Sequence, residues 1–136
     1  MNAVDTNILI HSHDPRDSAK QSTALSLLGS LTDGLLVWQV ACEFLWASRK
    51  LEPFGFDQRQ AQEEIRQLRR AWSTVLPTRS VIERGDRLMA AYGLSLWDAL
   101  IVAACLEAGA EQLYKEDFGS QASIDGLNIV NPFAAI

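Results

Sequence analysis

The chain has 136 residues, 48% of them hydrophobic and 21% charged, with a formal net charge of −5. That composition suits one globular domain spanning residues 1–136 and excludes an intrinsically disordered chain. The longest apolar run, residues 96–106, is about half the roughly 20 residues a membrane-crossing helix needs, and no export signal is visible at the N-terminus, so a cytoplasmic protein without membrane contact is expected.

In chain order, residues 3–4 read as a short strand closed by Asp5, followed by a helical stretch over 7–13 that Pro15 interrupts. Apolar positions at helical spacing predict a helix over 18–31, and residues 35–37 a second strand. A third helix is predicted over 40–50, with a turn at Pro53 and Gly55 before Asp57 caps an arginine-rich helix to about residue 73. Residues 75–76 form a third strand candidate. Ser80 with Glu83 reads as a capping box opening a helix that Gly93 ends, and Ser95 opens an almost wholly apolar helix to Ala108. Residues 112–114 and 127–130 complete the strands. Strands alternating with helices imply right-handed crossovers, and so a three-layer α/β/α sandwich with a mostly parallel sheet of four to five short strands.

Cys42 and Cys105 each lie among apolar neighbours without a zinc-like spacing, and are read as reduced core residues. His11 and His13 diverge on a helix and make a poor chelate. No phosphate-binding glycine loop, dinucleotide fingerprint or nucleophile-elbow motif is present. Seven arginines against four acids between residues 59 and 87 make one locally basic segment.

The acids carry more information. Ligands of open parallel sheets bind beyond the carboxyl ends of the strands, where Asp5 and Asp117 fall. Glu43 and Asp98 are each the lone charge in an apolar helical segment, and an ionised carboxylate there needs a partner. If both helices begin near the strand ends, the four acids converge, and so many like charges need a cation. Oxygen-only ligands select a hard ion such as Mg²⁺ or Mn²⁺, whose chemistry suits phosphodiester hydrolysis.

Asp5-Thr6-Asn7, the lone Glu43, Ser95-Leu96-Trp97-Asp98-Ala99-Leu100-Ile101, Glu116-Asp117-Phe118 and the closing Gly126-Leu127-Asn128-Ile129-Val130-Asn131-Pro132-Phe133 resemble the PIN-domain nucleases, specifically the VapC toxins of bacterial toxin–antitoxin pairs. The resemblance covers the whole chain. It implies a Mg²⁺- or Mn²⁺-dependent endoribonuclease, held inactive by a cognate VapB-type antitoxin and usually dimeric. By motif position Asp5, Glu43, Asp98 and Asp117 match the family's acidic quartet, with Thr6, Asn7 and Ser95 in support. One departure stands out: Lys115 occupies a position where the family usually has serine or threonine, and Glu116 is the residue that could substitute or assist there.

Competing readings are a related metal-dependent DNA nuclease or phosphohydrolase and a non-catalytic PIN-like binding module; a receiver-like signalling domain ranks last, because it wants a further acidic pair near the first strand and Asp5 has Thr6 and Asn7 beside it instead. Arg66, Arg69 and Arg70, with Arg49 and Lys50, are expected to guide the RNA backbone toward the acids. Trp46, Leu51, Phe54 and Phe56 are expected to form a surface groove for the antitoxin.

Overall fold

A computed structural model describes residues 1–118 and 122–134. Six strands form one sheet in the order β3-β2-β1-β4-β6-β5: β1 Asn2–Val4, β2 Gly34–Val37, β3 Ser73–Val75, β4 Gln112–Tyr114, β5 Ser123–Ile124 and β6 Leu127–Val130. Every pairing is parallel except that of β5 with β6. The helices are α1 Thr6–His11, α2 Ser18–Ser30, α3 Trp38–Ala47, α4 Gln58–Ala71, α5 Arg79–Tyr92 and α6 Leu96–Ala108, with a 3-10 segment over Ser48–Phe54.

The strand order places the helices. From β1 to β3 the chain moves along the sheet in one direction, and from β3 through β4 to β6 it moves back in the other. Right-handed crossovers made in opposite directions leave their helices on opposite faces, so α1–α4 cover one face and α5–α6 the other. The sheet is therefore the middle of three layers, as expected from the sequence. Between them β2 is buried along its whole length, as a central parallel strand should be. Phe44, Ile8, Leu9, Leu35, Leu51, Ile101 and Leu113 are among the largest fully enclosed side chains of the core. No single helix among the described residues is long and apolar enough to cross a membrane.

Several local expectations need correction. The sheet has six strands because Asp125 and Gly126, with φ of 50° and 91°, make a two-residue turn that pairs β5 with β6. The third helix begins at Trp38 and tightens into the 3-10 segment after Ala47, where Pro53 cannot serve a regular helix. Thr78 rather than Ser80 caps α5, its hydroxyl accepting from the Val81 N–H at 3.3 Å, which leaves Glu83 to pair with Arg79 at 2.8 Å. Cys105 lies in the core, where burial pushes its thiol up to about 12. Cys42 is exposed, because it shares the outward stripe of α3 with Trp38 and Trp46.

Gly34 opens β2 beneath the Trp72 indole. A Cβ there would stand 2.1 Å from the ring, so only glycine admits the indole at this edge of the sheet.

Candidate active site at the carboxyl edge of the sheet

Chain direction reverses between β1 and β4, which lie side by side at the centre of the sheet. Such a switch point opens a crevice beyond the carboxyl ends of its two strands. Register fills it. Val4 pairs with Tyr114, so the next residues, Asp5 and Lys115, stand side by side at the edge. Their backbones are tied there, the Asp5 N–H donating to Tyr114 O and the Lys115 N–H to Val130 O, each at 2.9 Å.

Asp5 occupies the N-cap position of α1, yet its side chain caps nothing. Its carboxylate instead accepts from Lys115 Nζ at 2.7 Å, with both side chains 7% exposed. Asp98 reaches the same ammonium at 3.1 Å from the first turn of α6. Ser95 makes that placement possible: its hydroxyl accepts the Asp98 N–H at 3.2 Å and fixes the start of the helix, leaving the Asp98 carboxylate to face the crevice. Burial works against the charge on Lys115, but the Asp5 and Asp98 carboxylates outweigh it and hold its pKa above the usual lysine value.

Glu43 arrives from the other side of β1, half-buried in the second turn of α3. The buried Thr6 hydroxyl donates to its Oε2 at 2.9 Å, and Gln39 Nε2 donates to its Oε1 at 2.6 Å and to the Trp97 carbonyl at 3.3 Å. Those bonds orient a carboxylate and link α1, α3 and the start of α6. Asn7 lies beside Thr6 in the first turn of α1, half-buried.

The last expected acids stand apart. Asp117 lies exposed on the loop after β4 and, among the described residues, bonds to none of the other three acids. Glu116 accepts from His11 Nε2 at 2.8 Å and from Lys20 Nζ, which draws it toward the far end of α1. Burial would raise its pKa; Lys20 and His11 prevail and lower it. Glu116 is therefore engaged by His11 and Lys20, and no hydrogen bond among the described residues joins it to Lys115, Asp5 or Asp98.

The expected groove is not built as four residues. Trp46 and Phe54 are 68% and 45% exposed, whereas Leu51, inside the 3-10 segment, is fully enclosed and Phe56, just beyond it, is buried against His13 and Phe44. Arg49 stacks its guanidinium 3.8 Å from the Trp46 ring centroid, and Lys50 is exposed beside it. Arg69 and Arg70 end α4, just before the chain enters β3 at its amino end, and so they stand across the sheet from Asp5. Arg66, one turn earlier, pairs with Glu63 at 3.2 Å.

Sequence reasoning did not single out Gln39 or the exposed Trp38 and Trp97. All three line a depression with Cys42, Glu43 and Trp46 beside the acids. The four-residue period that puts Trp38, Cys42 and Trp46 on the exposed stripe of α3, next to Glu43, was the available signal.

Asp5, Glu43 and Asp98 offer oxygen only, the donor type that suits a hard divalent ion. In kind, then, they fit Mg²⁺ or Mn²⁺. In arrangement they hold an ammonium: among the described residues no three His, Cys, Asp or Glu side chains are grouped closely enough for a metal ion.

A mostly parallel α/β/α sandwich with carboxylates at its switch point is the class of fold. Within it, a family model for the PIN domain matches residues 3–125, and the chain belongs to the PIN-domain family. Among curated proteins no match was found. A solved toxin–antitoxin complex from Klebsiella pneumoniae is similar at 25% identity, with a TM-score of 0.71 and 98% of each chain covered. VapC20 of Mycobacterium tuberculosis, described as a toxin that cleaves the sarcin–ricin loop, shares the fold at 18% identity and a TM-score of 0.70, covering 88% of this chain and 92% of its own. VapBC2 from Rickettsia felis, solved bound to a DNA fragment from its promoter, shares it at 16% identity and 0.66, covering 96% and 97%.

Proposed function

We propose that this chain is a metal-dependent endoribonuclease, the toxin of a type II toxin–antitoxin pair. The observation that carries the reading is the placement of Asp5 and Asp98 about one ammonium at the switch point of a PIN-domain sheet, with Glu43 held by Thr6 of the adjoining helix. Similarity to a toxin–antitoxin complex over 98% of both chains supports the partner assignment.

Mg²⁺ or Mn²⁺, when bound, supplies a water of lowered pKa and polarises the phosphoryl oxygen. Asp5 and Asp98 would hold the ion, with Glu43 and Asp117 reaching it directly or through its waters. Glu43 is kept in one orientation by Thr6 and Gln39, which suits a group that must meet a water at a fixed place. The surrounding tryptophans can stack unpaired bases, which favours single-stranded or looped RNA. Guidance of the backbone falls to Arg49 at the rim of the depression rather than to Arg66, Arg69 and Arg70. The partners are a VapB-type antitoxin, seated against the exposed Trp46 and Phe54, and a second copy of the chain in a homodimer; the setting is the cytoplasm.

The test uses purified protein freed of antitoxin, offered structured RNA and single-stranded DNA in Mg²⁺ and in Mn²⁺. RNA should be cut, DNA spared, and cleavage lost with chelator. RNA left intact in both ions would overturn the assignment, and cleavage of DNA alone would move it to the DNA-nuclease reading.

A further inference from the structure

We propose that Lys115 is the built-in cation of this site, occupying the place between Asp5 and Asp98 that a divalent ion would take, so that metal enters only as the lysine side chain leaves. The inference rests on the reading of Asp5 and Asp98 as metal-facing carboxylates, and it adds an occupant that the chain itself supplies.

Three features of the structure support it. The ammonium stands 2.7 Å from Asp5 and 3.1 Å from Asp98, within charge-assisted hydrogen-bond distance of both. Its origin is fixed, since Lys115 is the first residue beyond β4, pinned to β6 by its own N–H and beside Asp5 by strand register. Among the described residues of its loop no rival draws it away: Glu116 is engaged by His11 and Lys20, and Asp117 is exposed. A divalent ion brought between the same two carboxylates would meet the ammonium at contact distance, where like charges repel strongly in a site shielded from water. Lysine can yield the place, because its charge sits on a flexible four-carbon stem. A shorter, uncharged residue at this position would leave the place open to the ion. This chain therefore binds metal more weakly than its carboxylates alone would.

Calorimetric titration of Mn²⁺ into the full chain, without RNA, tests this against Lys115→Thr and Lys115→Met. Both should bind Mn²⁺ at least tenfold more tightly than the wild type, while Lys115→Arg, which keeps a cation, should not. Equal affinity in the wild type and the two uncharged variants, or no binding in either variant, would overturn the inference. Should both uncharged variants fail to fold, the Lys115 Nζ resonance of the wild type gives the answer: Mg²⁺ saturation must shift it, and an unmoved signal overturns the inference. Because the readout is binding, the two readings separate. Tighter Mn²⁺ binding with no RNA cleavage by any variant supports the inference and removes the nuclease reading; cleavage with unchanged affinities does the reverse.

Discussion

Asp5→Asn distinguishes a site neutralised from within from a cluster of bare acids by the sign of its effect on stability. In a cluster of unpaired carboxylates, removing one charge relieves repulsion and stabilises the metal-free protein. Here Asp5 is paired at 2.7 Å with a lysine as enclosed as itself, so the substitution leaves a buried ammonium short of its nearer partner. Breaking a buried pair from one side costs about 3–5 kcal/mol, and the retained contact to Asp98, which is 30% exposed, brings the expected loss to about 2–4 kcal/mol. For a domain of this size about 1 kcal/mol corresponds to ~3–5 °C, which puts the fall in melting temperature at about 6–20 °C. Thermal unfolding in excess chelator, followed by circular dichroism, measures it. A cycle with Lys115→Met isolates the pair, and its coupling should exceed ~1.5 kcal/mol. An Asp5→Asn protein as stable as the wild type, or more stable, in chelator would refute the reasoning.

Leu51→Ala should cost about 2–5 kcal/mol, because the side chain is fully enclosed, whereas Trp46→Ala should cost under about 1 kcal/mol and instead weaken capture of the antitoxin; urea unfolding of both variants checks the division. Gly34→Ala should destabilise by about 1–3 kcal/mol in the wild-type background and be close to neutral when Trp72 is also alanine, because the three atoms nearest the added Cβ all belong to that indole; additive effects would contradict the packing. Asp14 accepts from the Arg16 side chain, which holds its pKa below the usual carboxylate value despite burial. Its contribution to stability is therefore present above the unfolded pKa, near 4, and lost as pH falls through the lower folded one. Asp14→Asn should be less stable than the wild type at pH 7, with the gap closing below about pH 4 in a melting-temperature series.

The layered fold was legible because hydrophobic period and strand–helix alternation are local signals. Three acids were legible as candidates for local reasons: Glu43 and Asp98 because a charge isolated in an apolar segment must face something, and Asp5 because it closes a strand at the edge where ligands bind. What they face was not. The embrace of Lys115 depends on the register of β1 against β4, a pairing across 110 positions that no local pattern encodes. Leu51 and Phe56 misled because aromatic and aliphatic residues around a Pro-Gly turn look the same whether the turn folds inward or stays at the surface, and the 3-10 segment folds it inward. Arg69 and Arg70 misled because the arginine-rich pattern gives a helix face but not which edge of the sheet the helix end reaches. The β5–β6 hairpin carries a strong local signal in Asp125-Gly126, but a first strand of only two residues leaves no alternation of its own to read.

Single-turnover cleavage of a looped RNA in Mn²⁺ tests the central claim most directly, comparing the wild type with Asp98→Asn and Glu43→Gln and with Asp125→Asn as a control, since Asp125 bonds Tyr92 on the hairpin turn and takes no part in the crevice. Losing a group that stabilises the transition state at this site should lower the rate by about 10²–10³-fold in each of the first two variants, and the control should stay within about twofold. Asp98→Asn and Glu43→Gln proteins that are folded and cleave at the wild-type rate would show that the switch-point carboxylates are not the active site.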